Sequence, residues 1–256
     1  MYLFLDPEQY DRVLQDFKTS IIDGCVKCGG TGYLDSDEID EETLAPEVKL
    51  CGCSELWNFR LKQIGAGIPK EFWDVEAVAI ENNNECLGII QRYIANLENA
   101  RRNGLGFLMM GENGVGKTTM ATLILAKAIR AGYSVFYISA HDMMDVVFKA
   151  FKDDRLAGLL DTKLNSDFVV IDEIDKARVK DNNSYVLTKV DSILRRRRGI
   201  IQPTTLITNM TQTELHSMLG ESIMSIVSSS MKQLRFMPGD FRRKQGSDWD
   251  NMLNGR

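Results

Sequence analysis

The sequence predicts an α/β fold: a parallel sheet flanked by helices on both faces, preceded by a small cysteine-bearing domain. Three observations predict it. Short apolar runs alternate with helical patterns from about residue 87 onward, as the strands and crossover helices of a parallel sheet do. A glycine-rich stretch, Gly111-Glu-Asn-Gly-Val-Gly-Lys117-Thr118, stands between one such run and the helix pattern after it. Four of the five cysteines fall between residues 25 and 53, ahead of the alternating region.

Size and composition agree with this. A chain of 256 residues can bury one core of ordinary size plus a smaller attachment. Its 44% hydrophobic and 26% charged residues are usual for a soluble globular protein. The formal net charge of −5 excludes a surface that attracts nucleic acid everywhere, so any such contact must use a local basic groove. No apolar run reaches the roughly 20 residues needed to span a bilayer. Residues 1–6 lack the basic flank of a signal peptide. These features predict a cytoplasmic protein with no membrane partner, in which cysteines do not form a disulfide framework.

Taken in order, residues 1–20 place Tyr10, Val13, Leu14 and Phe17 at helical spacing. Residues 35–47 carry seven acidic side chains and Pro46, which reads as an exposed loop or ribbon tip. A second helical pattern covers 54–64, and Gly65-Ala-Gly67-Ile-Pro69 ends it. The expected division is an N-terminal region 1–64, a linker 65–78, a sheet domain 79–245 and a tail 246–256. Within the sheet domain the patterns predict helices over 87–101, 118–131, 142–160 (in one or two pieces), 184–196 and 213–227. Strands are expected at 107–110, 134–139, 168–171, 204–208 and 233–237.

The glycine-rich stretch has the residue types that polyphosphate binding requires. Gly111, Gly114 and Gly116 let the backbone curl, so that N–H groups along Glu112, Asn113, Val115 and Thr119 can face phosphates. The helix that follows adds the positive end of its dipole. Lys117 is placed to reach the β and γ phosphates of ATP, and Thr118 to hold Mg²⁺ through its hydroxyl. Asp172 ends an apolar strand and supplies a second Mg²⁺ group; Glu173 beside it is the candidate to polarise an attacking water. Asn209, at the end of the next strand, can orient that water. Read alone, Asp172-Glu173 is a strand cap and Asn209 a turn residue; the loop upstream gives them a common purpose. Asp175 and Lys176 read as rim residues.

Cys25, Cys28, Cys51 and Cys53 arrive as two close pairs from distant parts of the chain. Four sulfur ligands suit a tetrahedral Zn²⁺, which can fold a segment too small to build its own core. An iron–sulfur cluster and four free thiols are the alternatives. Cys86 reads as an ordinary small apolar residue. Arg195–Arg198 either complements a helix C-terminus or contacts DNA or a neighbour's nucleotide. Arg242-Arg-Lys244 is a second basic group. Tyr137, Phe148 and Phe151 are core residues or base-stacking platforms.

The order of these features resembles the AAA+ ATPases, and within them the DnaC/DnaI group of replicative-helicase loaders of bacteria and phages. Ala66-Gly-Ile-Pro69-Lys-Glu-Phe72, Gly111–Thr118, Val170–Asp175, Leu206–Asn209 and Phe236-Met-Pro-Gly239-Asp240-Phe241-Arg242 carry the resemblance, which spans about 65–243. Some phage loaders share the Cys-x-x-Cys-x-Gly-Thr-Gly stretch and later Cys-x-Cys. The resemblance implies ATP hydrolysis in a bacterial cell, with Arg242 as a nucleotide-contacting arginine in cis. It implies an N-terminal domain that grips a hexameric replicative DNA helicase and an ATPase domain that engages single-stranded DNA and self-assembles into a ring or spiral. Transposition ATPases of the IstB type, which coat DNA and recruit a transposase, share much of the pattern. A nucleotide kinase is a further rival, for which no acceptor site is evident. One departure stands out. Ile226 occupies the place where the family carries an arginine that acts on a neighbour's ATP, so either another arginine, among Arg195–Arg198 or Arg235, substitutes or hydrolysis is slow.

Overall fold

The computed structural model describes residues 7–39, 46–75, 84–177 and 183–237, and the chain divides into two units, Met1–Pro69 and Lys70–Arg256. In the first unit, helix α1 (Pro7–Lys18) runs into a π-helical turn over Thr19–Asp23. An antiparallel ribbon follows, made of β1 (Tyr33–Ile39) and β2 (Pro46–Leu50), with Tyr33 opposite Leu50, and then α2 (Gly52–Gly65). The acidic stretch 35–47 is therefore a ribbon, and its residues 40–45 lie outside the described residues.

The second unit begins with a 3₁₀ turn (Lys70–Phe72), followed by α3 (Asn84–Ala95) and α4 (Leu97–Arg102). Five strands then alternate with helices: β3 (Gly106–Met110), α5 (Lys117–Arg130), β4 (Val135–Ser139), α6 (Ala140–Ala150), α7 (Asp154–Leu164) and β5 (Phe168–Asp172). A 3₁₀ turn (Ile174–Ala177), α8 (Asn183–Gly199), β6 (Thr204–Thr208), α9 (Gln212–Ser230) and β7 (Met231–Arg235) complete it. The strands pair in the order β4-β5-β6-β3-β7, all parallel. Parallel strands covered on both faces need continuous apolar runs, and β3, β5 and β6 are buried along their whole length. Gly106 opens β3 because a Cβ there would lie 1.8 Å from the Thr204 carbonyl oxygen of β6. In such a sheet a ligand crevice forms beyond the strand C-termini, where the order reverses. Here that place is the end of β3, between β6 and β7. Among the described residues no helix is long and apolar enough to cross a membrane.

Two segments depart from expectation, and the segment 142–160 takes one of its two expected forms. The helix expected over 87–101 breaks at Asn96, whose side-chain amide donates to the Arg92 carbonyl at 2.8 Å and ends the first piece. The 142–160 segment is two helices, the second capped by Asp153, which accepts from the Arg155 and Leu156 N–H groups. The last strand begins two residues early, at Met231, directly after α9, and Phe236 already lies beyond it. The C-terminal tail 246–256 and Arg242-Arg-Lys244 lie outside the described residues.

The arginine run corrects the sequence reading most sharply. Arg197 continues the buried stripe Val190, Ile193, Leu194 at helical spacing and is 0% exposed. Its guanidinium donates to the carbonyls of Leu164, Ser166 and Pro203, to Thr204 Oγ1 and to Gln202 Oε1. Burial, with the Arg101 and Arg196 cations, pulls its pKa down, yet so many acceptors keep the charge worthwhile. Arg197 thus pins the end of α7 to the loops entering β5 and β6 and is closed to DNA. Arg195 pairs with Asp191, Arg196 with Asp161. Phe148 and Phe151 stay exposed, whereas Tyr137 is buried.

Arg101 ties α4 to the same region through Asp167 Oδ1 at 2.6 Å, while Ser134 donates its N–H and hydroxyl to Asp167 Oδ2. Burial raises the Asp167 pKa, but the hydrogen bonds from Arg101 and Ser134 outweigh it and the net shift is downward. A depressed carboxyl contributes stability above its unfolded pKa of about 3.9, and that stability is lost as pH falls through the folded value. Replacing Asp167 by Asn should therefore destabilise the protein at pH 7 in urea denaturation, with the difference from native shrinking as pH falls below about 4. Arg197→Met should cost about 3 kcal/mol or more, since it strands several buried carbonyls, whereas Arg198→Ala should stay within about 0.5 kcal/mol.

Candidate functional site

The loop after β3 closes over itself because Gly114 and Gly116 adopt φ of 82° and 92°, a region that costs other residues energy. Gly116 then starts α5, so Lys117 and Thr118 stand in its first turn. Lys117 is 6% exposed as a residue, and its ammonium donates to the Gly111 and Glu112 carbonyls at 2.8 and 2.7 Å and to Asn209 Oδ1 at 2.9 Å. Beside it a cleft of about 730 Å³ is lined by Gly111, Glu112, Asn209, Thr211, Arg235 and Phe236, among others.

Asp172 ends β5 at 3% exposure. Its Oδ2 accepts from Thr118 Oγ1 and from the Tyr137 hydroxyl, both at 2.8 Å, and its Oδ1 from the Glu173 N–H at 2.6 Å. Burial raises its pKa; those three donors work against burial, the Glu173 carboxylate adds to it, and the net shift is upward. Tyr137 is pushed up as well, by burial and then by Asp172. A buried carboxylate that resists ionisation and touches a threonine hydroxyl is a hard-oxygen pair suited to Mg²⁺, whose charge would relieve it. Glu173 follows with φ of 53°, and its carboxylate pairs with Lys176.

The fold thus brings Lys117, Thr118, Asp172 and Asn209 together, sets Glu173 next to them, and leaves Arg242 outside the described residues. Two contributors were missed in the sequence. Tyr137 faces Asp172 because β4 pairs with β5 in a register that sets Tyr137 against Val170, one step down the same face. Asp175, read as a rim residue, accepts from the Thr208 hydroxyl and from both the backbone N–H and the side-chain amide of Asn209. Its offset of three from Asp172 in a tight turn was the available signal.

In the N-terminal unit the turn after the π-helix and the start of α2 gather the four cysteines. Cys25 and Cys51 sulfurs lie 3.8 Å apart, those of Cys28 and Cys53 3.5 Å, and all four within 4.8 Å of one another. A tetrahedral site with Zn–S bonds of about 2.3 Å has sulfurs about 3.8 Å apart, so one ion fits. That spacing favours it over a multi-iron cluster, whose ligands bind different metal atoms. The Gly32 N–H donates to Cys28 Sγ at 3.2 Å. Desolvation raises the Cys28 pKa, but this N–H and the neighbouring thiols bring it down to about 6. The N–H groups of Cys28 and Lys27 lower Cys25, while burial and the crowding thiols push Cys53 up to about 12. Cys86 is buried apart, its thiol toward the Arg235 carbonyl. Elemental analysis of the purified protein should find one zinc per chain, and Cys28→Ser should lose it.

Comparison with known proteins places this geometry. Residues 85–228, more than half the chain, match the family model described as IstB-like ATP binding protein. The replicative helicase loader DnaC of Escherichia coli (strain K12) is 28% identical over 149 residues, 57% of this chain and 58% of that protein. The insertion sequence IS5376 protein of Geobacillus stearothermophilus is 28% identical over 118 residues, 46% of this chain and 45% of the other. The crystal structure of the DnaC helicase loader shares the fold with a TM-score of 0.59 at 22% identity, covering 66% of this chain and 100% of that one. The matched stretches span less than two thirds of these curated relatives' own length. With its AAA+ sheet and its phosphate loop, the chain belongs to the IstB-like ATP-binding protein family.

Proposed function

We propose that this chain is an ATP-dependent loader that binds a hexameric replicative DNA helicase and helps place it on single-stranded DNA at replication initiation, in the bacterial cytoplasm. The observation that carries the reading is a four-cysteine unit, outside the family match, joined to a AAA+ nucleotide site. The similarity to DnaC, a replicative helicase loader, supports it. Residues 1–64, with Zn²⁺ on Cys25, Cys28, Cys51 and Cys53, serve as the grip. Residues 79–245 serve as the nucleotide-driven element, joined through 65–78 and followed by the tail 246–256.

In this reading Lys117 exchanges its protein acceptors for the β and γ oxygens of ATP, while the loop from Gly111 to Thr119 wraps the phosphates in N–H groups. Thr118 and Asp172 would hold Mg²⁺, which would supply charge neutralisation for those phosphates. Glu173 leaves Lys176 to accept a proton from the attacking water, and Asn209 aligns that water. Arg242 adds positive charge in cis. Ile226, 5% exposed on α9, offers nothing to a neighbour's nucleotide. Turnover by the isolated chain is accordingly slow, and ATP acts more as a switch of grip and release than as fuel.

The second reading, a transposition ATPase that coats DNA and recruits a transposase, draws on the family match and on the IS5376 relative. Native mass spectrometry with the host's replicative helicase, with and without ATP, separates the two. The loader reading expects a defined complex that Cys25→Ser with Cys28→Ser abolishes. No complex in either condition would overturn it in favour of transposition. Steady-state hydrolysis by the purified chain should be slow, and rapid turnover would count against the switch.

A further inference from the structure

Asn209 presents two chemically opposite edges, an accepting Oδ1 and a donating Nδ2. The terminal torsion of an asparagine is broad and roughly two-fold, so the side chain itself does not choose which edge faces the phosphate site. The choice is made from outside. Asp175 Oδ2 lies 3.2 Å from Asn209 Nδ2, and an ionised carboxylate can only accept. The carboxamide is thereby fixed with Nδ2 toward Asp175 and Oδ1 toward Lys117 Nζ, 2.9 Å away.

The other oxygen of Asp175 secures the backbone under this side chain. Asp175 Oδ1 accepts from the Asn209 N–H at 3.1 Å and from the Thr208 hydroxyl at 3.0 Å. That hydroxyl accepts in turn from the Met210 N–H at 3.1 Å. One carboxylate, on the 3₁₀ turn after β5, therefore holds the end of β6, the following peptide and the amide orientation together. A carboxylate needed only to brace the turn would be satisfied by the two contacts to Oδ1. The third contact, to Nδ2, acts on a side chain that accepts from the phosphate-loop lysine.

We propose that Asp175 is a positioning residue of the ATPase reaction, one that sets the polarity of Asn209 so that its oxygen edge, which here faces Lys117, is the edge offered to the attacking water when ATP is bound. This inference rests on the proposed hydrolytic reading of the site. A γ phosphate on Lys117 would take the place that Asn209 Oδ1 holds on the ammonium. The released oxygen edge, still aimed by Asp175, then accepts a hydrogen bond from water rather than donating one to the γ phosphate.

The test is a double-mutant cycle on ATP turnover in the full-length protein, with nucleotide affinity and thermal unfolding measured on each variant. Asp175→Ala and Asn209→Ala should each lower kcat about tenfold or more, with KM changed much less, as expected for losing a preorganised group. If Asp175 acts through Asn209, the double variant is no slower than Asn209→Ala alone. Asp175→Asn keeps the size of the side chain and its acceptor for Thr208 but turns a donor toward Asn209 Nδ2. It should lose as much kcat as Asp175→Ala while unfolding near the native temperature. Losses that multiply in the double variant, or native kcat in Asp175→Asn, overturn the inference. Native protein that binds ATP but does not hydrolyse it would overturn the hydrolytic reading and this inference with it, an outcome distinct from the other two.

Discussion

A buried ammonium group governs the layout of the second unit. Lys117 lies at the sheet's C-terminal edge, and a cation removed from water is costly unless several oxygens surround it. The Gly111 and Glu112 carbonyls and Asn209 Oδ1 provide them, each from the end of a strand or the loop after it. That convergence requires β3 and β6 to be parallel neighbours in register, Met110 beside Thr208. It also requires the glycines of the loop to hold left-handed angles. These oxygens make the lysine tolerable, and a triphosphate would be a stronger partner for it.

The surrounding acidic groups follow from that arrangement. Asp172 is buried beside Thr118 and Tyr137, and burial raises its pKa. Asp175 is taken up by the end of β6, and Glu173 is balanced by Lys176. Three carboxylates within four residues thus have three separate tasks, set by burial and partner rather than by residue type. The N-terminal unit solves a different problem. Its described interior is small, with Ile22, Cys51, Ile64, Ala66 and Ile68 as its buried apolar residues. A four-sulfur site linking the turn at Cys25 and Cys28 to the start of α2 would supply cross-linking that such a core cannot.

Much of this was legible in the sequence because it is local. The phosphate loop, the apolar strands and the cysteine pairs are patterns of spacing, and each fell within a few residues of its observed place. The features that escaped depend on the partner strand or helix. Tyr137 looks like any strand aromatic until the β4–β5 register sets it against Val170, from where its hydroxyl reaches Asp172 two residues on. Asp175 looks like a rim carboxylate until β6 docks beside it. In Arg195–Arg198 four like residues have different fates because a helix turns about 100° per residue and only Arg197 falls on the apolar stripe. That stripe, Val190, Ile193, Leu194 and Arg197, was readable, but the charge of the run masked it.

In the proposed function the Lys117 ammonium is the point at which protein oxygens give way to ATP phosphates. Calorimetric titration with a non-hydrolysable ATP analogue and Mg²⁺ tests it most directly. Native protein should bind, Lys117→Ala should lose affinity by about a hundredfold or more, consistent with removing a charge-assisted phosphate contact from a buried site, and Asn209→Ala should bind at least as tightly as native. Undiminished binding by Lys117→Ala would contradict the account.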